Sequence, residues 1–420
     1  MEKIALSPRV RLVVEEVPAG KTDLLTVTFY LPSVAENPAL AGFVAELISN
    51  GWPTYAEPVD LARTLADWYG ASLSAGVTKV GDSFALCLMG RAVSAAFVPG
   101  KEKPLTEVAA LMIRQLKGVM QTALDSQTDR RETRLYRELI QSVQGDKRRE
   151  ARKKALQIAC AGEEIGLDKL GTEEDLDRID RPSVPAALTR LISGSSVTVA
   201  VVGHENEKEL GLAVATEINA MLGEKCAVLT DKIRPAQKTR CVTERQQLTQ
   251  GKLVMVFRSG DADALKNRAV FTVLNGCFGG GPHSKLFVNV REKRGLCYYC
   301  SAAPVMSKGL ILVESGVEGS KAQEAEQAVS DEFFALQNGI LSEEELAAAK
   351  RVLVNRYGSM KDDPDSLSSW FSGNGKEDFP PDLSDYAAAV EAVTAEEVVH
   401  LAQTFSLDTA YTLLPEVKES

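Results

Sequence analysis

The chain has 420 residues, of which 45 % are hydrophobic and 25 % charged, and a formal net charge of -10. That length exceeds one ordinary core and points to two domains, and the composition excludes bulk disorder. The acidic excess argues against a broad nucleic-acid or anionic-membrane surface, and no stretch approaches the ~18 apolar residues of a membrane span.

The elements follow in chain order. Apolar and alternating runs at 10–14 and 24–30, separated by Pro18-Ala-Gly20, read as a pair of strands. Helical periodicity follows at 37–49 and 58–69, strand alternation at 71–78 and 83–90 around the turn Gly81-Asp82, and long helices at 105–123 and 127–146. A helix at 183–193, a β-branched strand at 196–202 and a helix at 205–222 close the first half. The second half repeats this order in outline. It runs through a strand at 252–258, helices at 261–276 and 284–293, strands at 297–304 and 309–316, helices at 320–337, 342–358, 384–391 and 394–404, and a strand at 408–414. The fold class is therefore α+β, with two homologous domains, each a mainly antiparallel sheet flanked by helices. The expected division is 1–223, a polar linker at 224–244, and 245–420.

The first residues, Met1-Glu-Lys-Ile-Ala-Leu-Ser-Pro8, contain no apolar signal region, and the seven scattered cysteines suit free thiols in a reducing compartment. A cytoplasmic location is expected. The basic run 147–154 reads as a solvated helix face. Cys297-Tyr-Tyr-Cys300 matches C-x-x-C by letter, but in a strand positions i and i+3 face opposite ways and no second pair completes a zinc site, so two separate thiols are expected. The three histidines, His204, His283 and His400, lie far apart and carry no local zinc signature.

One segment is more specific. A glycine turn, Gly279-Gly280-Gly281, leads through a helix into Arg291-Glu-Lys-Arg-Gly-Leu-Cys-Tyr298. This resembles the substrate-binding signature of the pitrilysin/insulinase family of inverted zincin peptidases, with support from Gly171-Thr-Glu-Glu-Asp-Leu176. The resemblance implies that Arg291 and Tyr298 hold a peptide, with Gly279, Gly280 and Gly281 as a short form of a substrate-loading loop and His283 as a further candidate contact. An arginine offers a planar fork of donors to backbone carbonyls and a tyrosine one phenolic donor, which suits a grip on any peptide.

The family's metal motif, His-x-x-Glu-His, places two imidazoles on one helical face with a glutamate beside them to activate water. Counting back from the helix exit Asn50-Gly51, its positions fall on Gly42, Ala45 and Glu46, and residues 1–203 contain no histidine. Glu138 is the expected equivalent of the later carboxylate ligand, with Glu132 six residues earlier. The resemblance thus implies a pseudoenzyme with no catalytic residue and no cofactor of its own, whose two domains form a clamshell. The expected function is the non-catalytic, substrate-binding or regulatory subunit of a heterodimeric zinc metallopeptidase acting on peptides. Zinc is then carried by a homologous His-x-x-Glu-His subunit, and a homodimer is a further arrangement. The alternative is a peptide-binding or scaffold protein of the same fold with no role in proteolysis. Similar paired, metal-less members in Gram-positive bacteria link that reading to elongation factor P modification.

Overall fold

The computed structural model describes residues 1–416; positions 417–420, at the end of the expected C-terminal domain, lie outside the described residues. Its strands are β1 (Glu2–Ser7), β2 (Val10–Glu16), β3 (Thr22–Tyr30), β4 (Ser72–Val80), β5 (Ser83–Val93), β6 (Ser196–Gly203), β7 (Arg240–Gln246), β8 (Gly251–Ser259), β9 (Cys297–Val305), β10 (Leu310–Val317) and β11 (Phe405–Pro415). They form two sheets, ordered β1-β2-β6-β3-β5-β4 and β7-β11-β8-β10-β9. In each sheet one pair is parallel, β2 with β6 and β7 with β11, and the other pairs are antiparallel. With β1 set aside, β2 to β6 map onto β7 to β11 in both chain order and sheet order. The repeat suggested by the sequence is thus a repeat of topology.

At its centre each sheet buries both faces, which is why β6 and β10 are buried at every position. In the first, Leu25, Val27 and Phe29 of β3 belong to a core built with the helices Ala39–Ser49, Pro104–Gln121 and Lys208–Asn219. The opposite face presents Thr26, Thr28 and Tyr30, which meet the helix Pro364–Asn374 through a polar seam. Thr26 Oγ1 and Ser368 Oγ lie 2.6 Å apart, Thr28 donates to Ser372 Oγ at 2.9 Å, and the Tyr30 hydroxyl donates to Ser372 O at 2.7 Å. Arg11 donates from Nη2 to Glu377 O at 2.6 Å.

The second sheet has the reciprocal arrangement. Helices Arg268–Gly279, Ala322–Gln337 and Ala395–Gln403 pack on one face. The other face takes the helix Lys147–Ala159, whose Ala151, Ala155 and Ala159 are buried in a cluster with Val254, Val256, Leu312, Tyr411 and Leu413. Four-residue spacing of a residue with no side-chain entropy lets the helix backbone approach the sheet closely. The compact units are therefore discontinuous. One comprises Met1–Gln141, Leu167–Thr230 and Ser359–Asp382, and the other Ser142–Gly166, Asp231–Gly358 and Leu383–Ser420.

The basic run at 147–154 is not simply solvated. Arg148 Nε and Arg152 Nη1 reach the two oxygens of Glu314 at 2.6 and 3.2 Å, and Lys154 pairs with Glu244. Just after this helix, Glu163 enters the interior of the same unit. It takes Arg258 Nη1 at 3.0 Å and Lys308 Nζ at 2.6 Å, while Asp408 faces Arg258 Nε at 3.5 Å and Arg240 Nη2 at 2.5 Å. Arg258 is 2 % exposed and Lys308 0 %, so each cation depends on these carboxylates for its charge balance. Glu163→Ala is expected to destabilise the chain by about 3–5 kcal/mol, because it leaves buried charges uncompensated. Asp60→Ala, at the exposed Asp60–Arg63 pair, should change stability by less than ~0.5 kcal/mol. Urea unfolding followed by circular dichroism compares the two, and equal shifts would refute the difference.

Candidate functional site

The first group of residues lies in the unit that contains helix Ala39–Ser49. Gly42 and Ala45 are buried on that helix, and an added Cβ at Gly42 would overlap the hydroxyl of Tyr136. Tyr136 comes from the helix Ser126–Gln144, is fully buried, donates to Leu170 O at 2.9 Å and packs edge-on against Phe43 at 5.9 Å. Its phenol fills the space into which a side chain at position 42 would extend.

The buried carboxylate on Ser126–Gln144 is Glu132, and not Glu138. Glu132 is 0 % exposed and accepts from Asn50 Nδ2 at 2.6 Å and Arg131 Nε at 2.7 Å. Glu138 is 57 % exposed and pairs with Arg134 one turn away at 2.9 Å. The reason is helical phase: Thr128, Glu132, Tyr136 and Ile140 recur every four residues and are all buried, so Glu132 sits on the inward stripe and Glu138 on the outward face. That spacing was the signal available in the sequence. Burial, and second the charge of Glu132, raise the pKa of Glu46.

Zinc does not fit this donor set. Gly42 and Ala45 offer no ligand atom, Tyr136 occupies the volume beside Gly42, and Glu132 is already satisfied by Asn50 and Arg131. Among the described residues no group of three or more His, Cys, Asp or Glu side chains is placed to hold a metal ion.

The second group lies in the unit built on the second sheet. Helix Arg268–Gly279 is buried from Ala269 to its end. Gly279 allows this helix to approach β9, since a Cβ there would fall on the backbone nitrogen and Cβ of Ala302. It is therefore committed to packing. Gly280 is exposed at the helix C-cap, and Gly281 lies half-buried against the ring of His283. Burial lowers the His283 pKa, partly offset by a hydrogen bond with Gly276.

The next turn is a π-helix, Leu286–Lys293, closed by a bond from Arg294 N to Asn289 O at 3.2 Å. On it Arg291 is 37 % exposed, its guanidinium stacked over Phe287 at 4.4 Å and its Nε 3.6 Å from Glu292. Tyr298 follows on β9 and is 67 % exposed. It is the unpaired residue of a β-bulge: Tyr299 pairs with Gly316 and Cys297 with Val317, leaving Tyr298 between them without a partner position. Tyr299 turns to the other face, where Arg148 lies 4.6 Å and Lys252 5.9 Å from its ring centroid. The sequence signature thus ends in two solvent-facing side chains, a cation on a π-helix and a phenol on an edge strand. Both side chains are able to donate hydrogen bonds to carbonyl or carboxylate oxygens.

The chain is similar in sequence and fold to several known proteins. The family described as "Peptidase M16 inactive domain" matches residues 178–353. "Probable inactive metalloprotease YmfF" of Bacillus subtilis (strain 168) is 27 % identical over 402 residues, covering 94 % of this chain and 93 % of that protein. Two crystal structures share the fold. A conserved protein from Enterococcus faecalis V583 has a TM-score of 0.84 at 24 % identity, covering 100 % of this chain and 99 % of that one. A peptidase M16 inactive domain from Pseudomonas fluorescens has a TM-score of 0.79 at 17 % identity, with the same coverage.

Three outcomes are expected of this site. Gly42→Ala should destabilise the chain by about 1–3 kcal/mol through overpacking against Tyr136. Rebuilding the motif with Gly42→His, Ala45→Glu and Glu46→His should give no stoichiometric zinc by equilibrium dialysis until Tyr136→Ala is added. Zinc uptake by the triple variant alone would show that Tyr136 is no obstacle. A carboxyl whose pKa is raised on folding binds more protons in the folded than in the unfolded state, so Glu46 makes stability fall as pH rises above its ordinary 4.5. Glu46→Gln should therefore flatten that descent in melting temperatures measured from pH 4 to 7, and an unchanged profile would contradict the assignment.

Proposed function

This chain is an inactive-type member of the M16 (pitrilysin/insulinase) peptidase family, and we propose that it is the non-catalytic, substrate-binding subunit of a heterodimeric zinc metallopeptidase acting on peptides. The reading is carried by an asymmetry within one chain. On the metal side, the space beside Gly42 is filled by Tyr136 and the nearby carboxylate is engaged by Asn50 and Arg131. On the signature side, Arg291 and Tyr298 stand at the surface, although neither is needed for the core.

In this reading the partner is a homologous subunit bearing His-x-x-Glu-His, which supplies zinc, the water activated on it and the cut. This chain supplies hydrogen bonds to the peptide backbone: Arg291 through its fork of donors, Tyr298 through its hydroxyl, and the exposed Gly280 with the half-buried Gly281 as the entry. Gly279 takes no part, being packed on Ala302.

The test is reconstitution. The purified chain alone should cleave no peptide, and its mixture with the zinc-bearing homologue from the same cell should be active. Loss of one charged hydrogen bond by Arg291→Ala should lower kcat/KM of the mixture by roughly 10- to 100-fold, and Tyr298→Phe should lower it by roughly 10-fold. Full activity with both variants would remove the assigned roles. A mixture with no activity on any peptide, in which the two chains still co-purify, would favour the scaffold reading.

A further inference from the structure

The β-bulge that exposes Tyr298 has a second effect. In a regular strand Cys297 and Cys300 would face opposite ways, as the sequence suggested. Here Cys297 pairs with Val317 and Cys300 with Ser315, and Val317 and Ser315, two apart on β10, share one face. The extra residue at Tyr298 shifts the phase, so the two cysteines become same-face neighbours. Such neighbours lie ~6.5 Å apart along a strand, within the ~4.4–6.8 Å that a disulfide spans between Cα atoms. Both are free thiols; Cys297 is half-buried and Cys300 buried. The Ser315 hydroxyl, which donates to Tyr299 O at 3.0 Å, lies beside both sulfurs.

We infer that Cys297 and Cys300 form a redox-active dithiol, which a hydroperoxide closes into an intrachain disulfide across the Tyr298 bulge. The two sulfurs are chemically unequal. Cys297 is held below the usual thiol range by the hydrogen bond it accepts from Cys300, then by Ser315 and by the positive charge of Arg291. Cys300 is pushed above that range by donating to Cys297 and by burial. This is the division of labour between an attacking and a resolving thiol.

In the first step the Cys297 thiolate attacks the terminal oxygen of the hydroperoxide. An S–O bond forms, the O–O bond breaks, and an alcohol, or water from hydrogen peroxide, leaves with one proton, giving Cys297 sulfenic acid. In the second, Cys300 loses its proton and attacks the Cys297 sulfur, an S–S bond forms and the S–O bond breaks, and the oxygen leaves as water. Two electrons pass from the dithiol to one hydroperoxide. Cys297, half-buried beside the exposed Tyr298, is the more accessible of the two to an oxidant, and burial of Cys300 protects it from direct attack. The inference stands whether or not Tyr298 touches peptide, since it concerns only the sulfurs.

The exposed thiols Cys226 and Cys241 would compete for oxidant, so the experiment uses the full chain with Cys226→Ser and Cys241→Ser. Treatment with equimolar hydrogen peroxide should remove two hydrogens in intact-mass spectrometry, with a Cys297–Cys300 link in the peptide map that dithiothreitol reverses. In a Cys300→Ala background, dimedone should trap a sulfenic acid at Cys297. With Cys297→Ser, Cys300 should stay a thiol. Arg291→Ala should slow alkylation of Cys297 by iodoacetamide at pH 7 by roughly two- to fivefold, a readout that needs no partner subunit. Two free thiols after peroxide, or dimedone on Cys300 instead of Cys297, would overturn the proposal.

Discussion

A β-sheet has two faces, and leaving either open to water exposes a broad apolar or half-polar surface. Both sheets of this chain meet that constraint in the same manner: one face is covered by helices from the same half of the sequence, the other by a helix from the other half. Lys147–Ala159 covers β8 and β11, and Pro364–Asn374 covers β3 and β6. The discontinuous units follow from this exchange. So does the buried charge cluster, because carrying Ser142–Gly166 into the second unit brings Glu163 to Arg258 and Lys308.

The two exchanged helices use different chemistry. Lys147–Ala159 buries only alanines and anchors its cationic side through Glu314 and Glu244. Pro364–Asn374 buries Leu367 and Phe371 beside Ser368 and matches its serines to threonines and a tyrosine on β3. Neither shows a strong apolar stripe, so the first read only as a solvated basic helix face and the second was not marked as a helix. β7 was hidden similarly: RCVTERQ carries no apolar run, lies along an edge, and begins inside what looked like a linker.

The candidate site shows the same division. The pair Arg291 and Tyr298, and the replacement of all three motif positions, were legible because they are statements about residue identity at fixed spacing. The identity of the inward carboxylate was also present in the four-residue spacing of Thr128, Glu132, Tyr136 and Ile140, but only helical phase separates Glu132 from Glu138. No local pattern marks Tyr136 as the group beside Gly42, since the two come from helices far apart in the chain. The glycine turn read as one loop separates in the structure into a packing position, Gly279, and two surface positions.

By itself the sequence determined the α+β class, the repeated order of strands and helices, the loss of the metal motif and the Arg291/Tyr298 signature. Each of these depends on periodicity or on local spacing, which a chain carries within itself. Only the tertiary structure decided which helix covers which face, which phenol fills the space at Gly42, and that one extra residue in β9 turns Cys297 and Cys300 to the same side. These depend on register and on partners distant in sequence, where a shift of one residue reverses the face on which a side chain emerges.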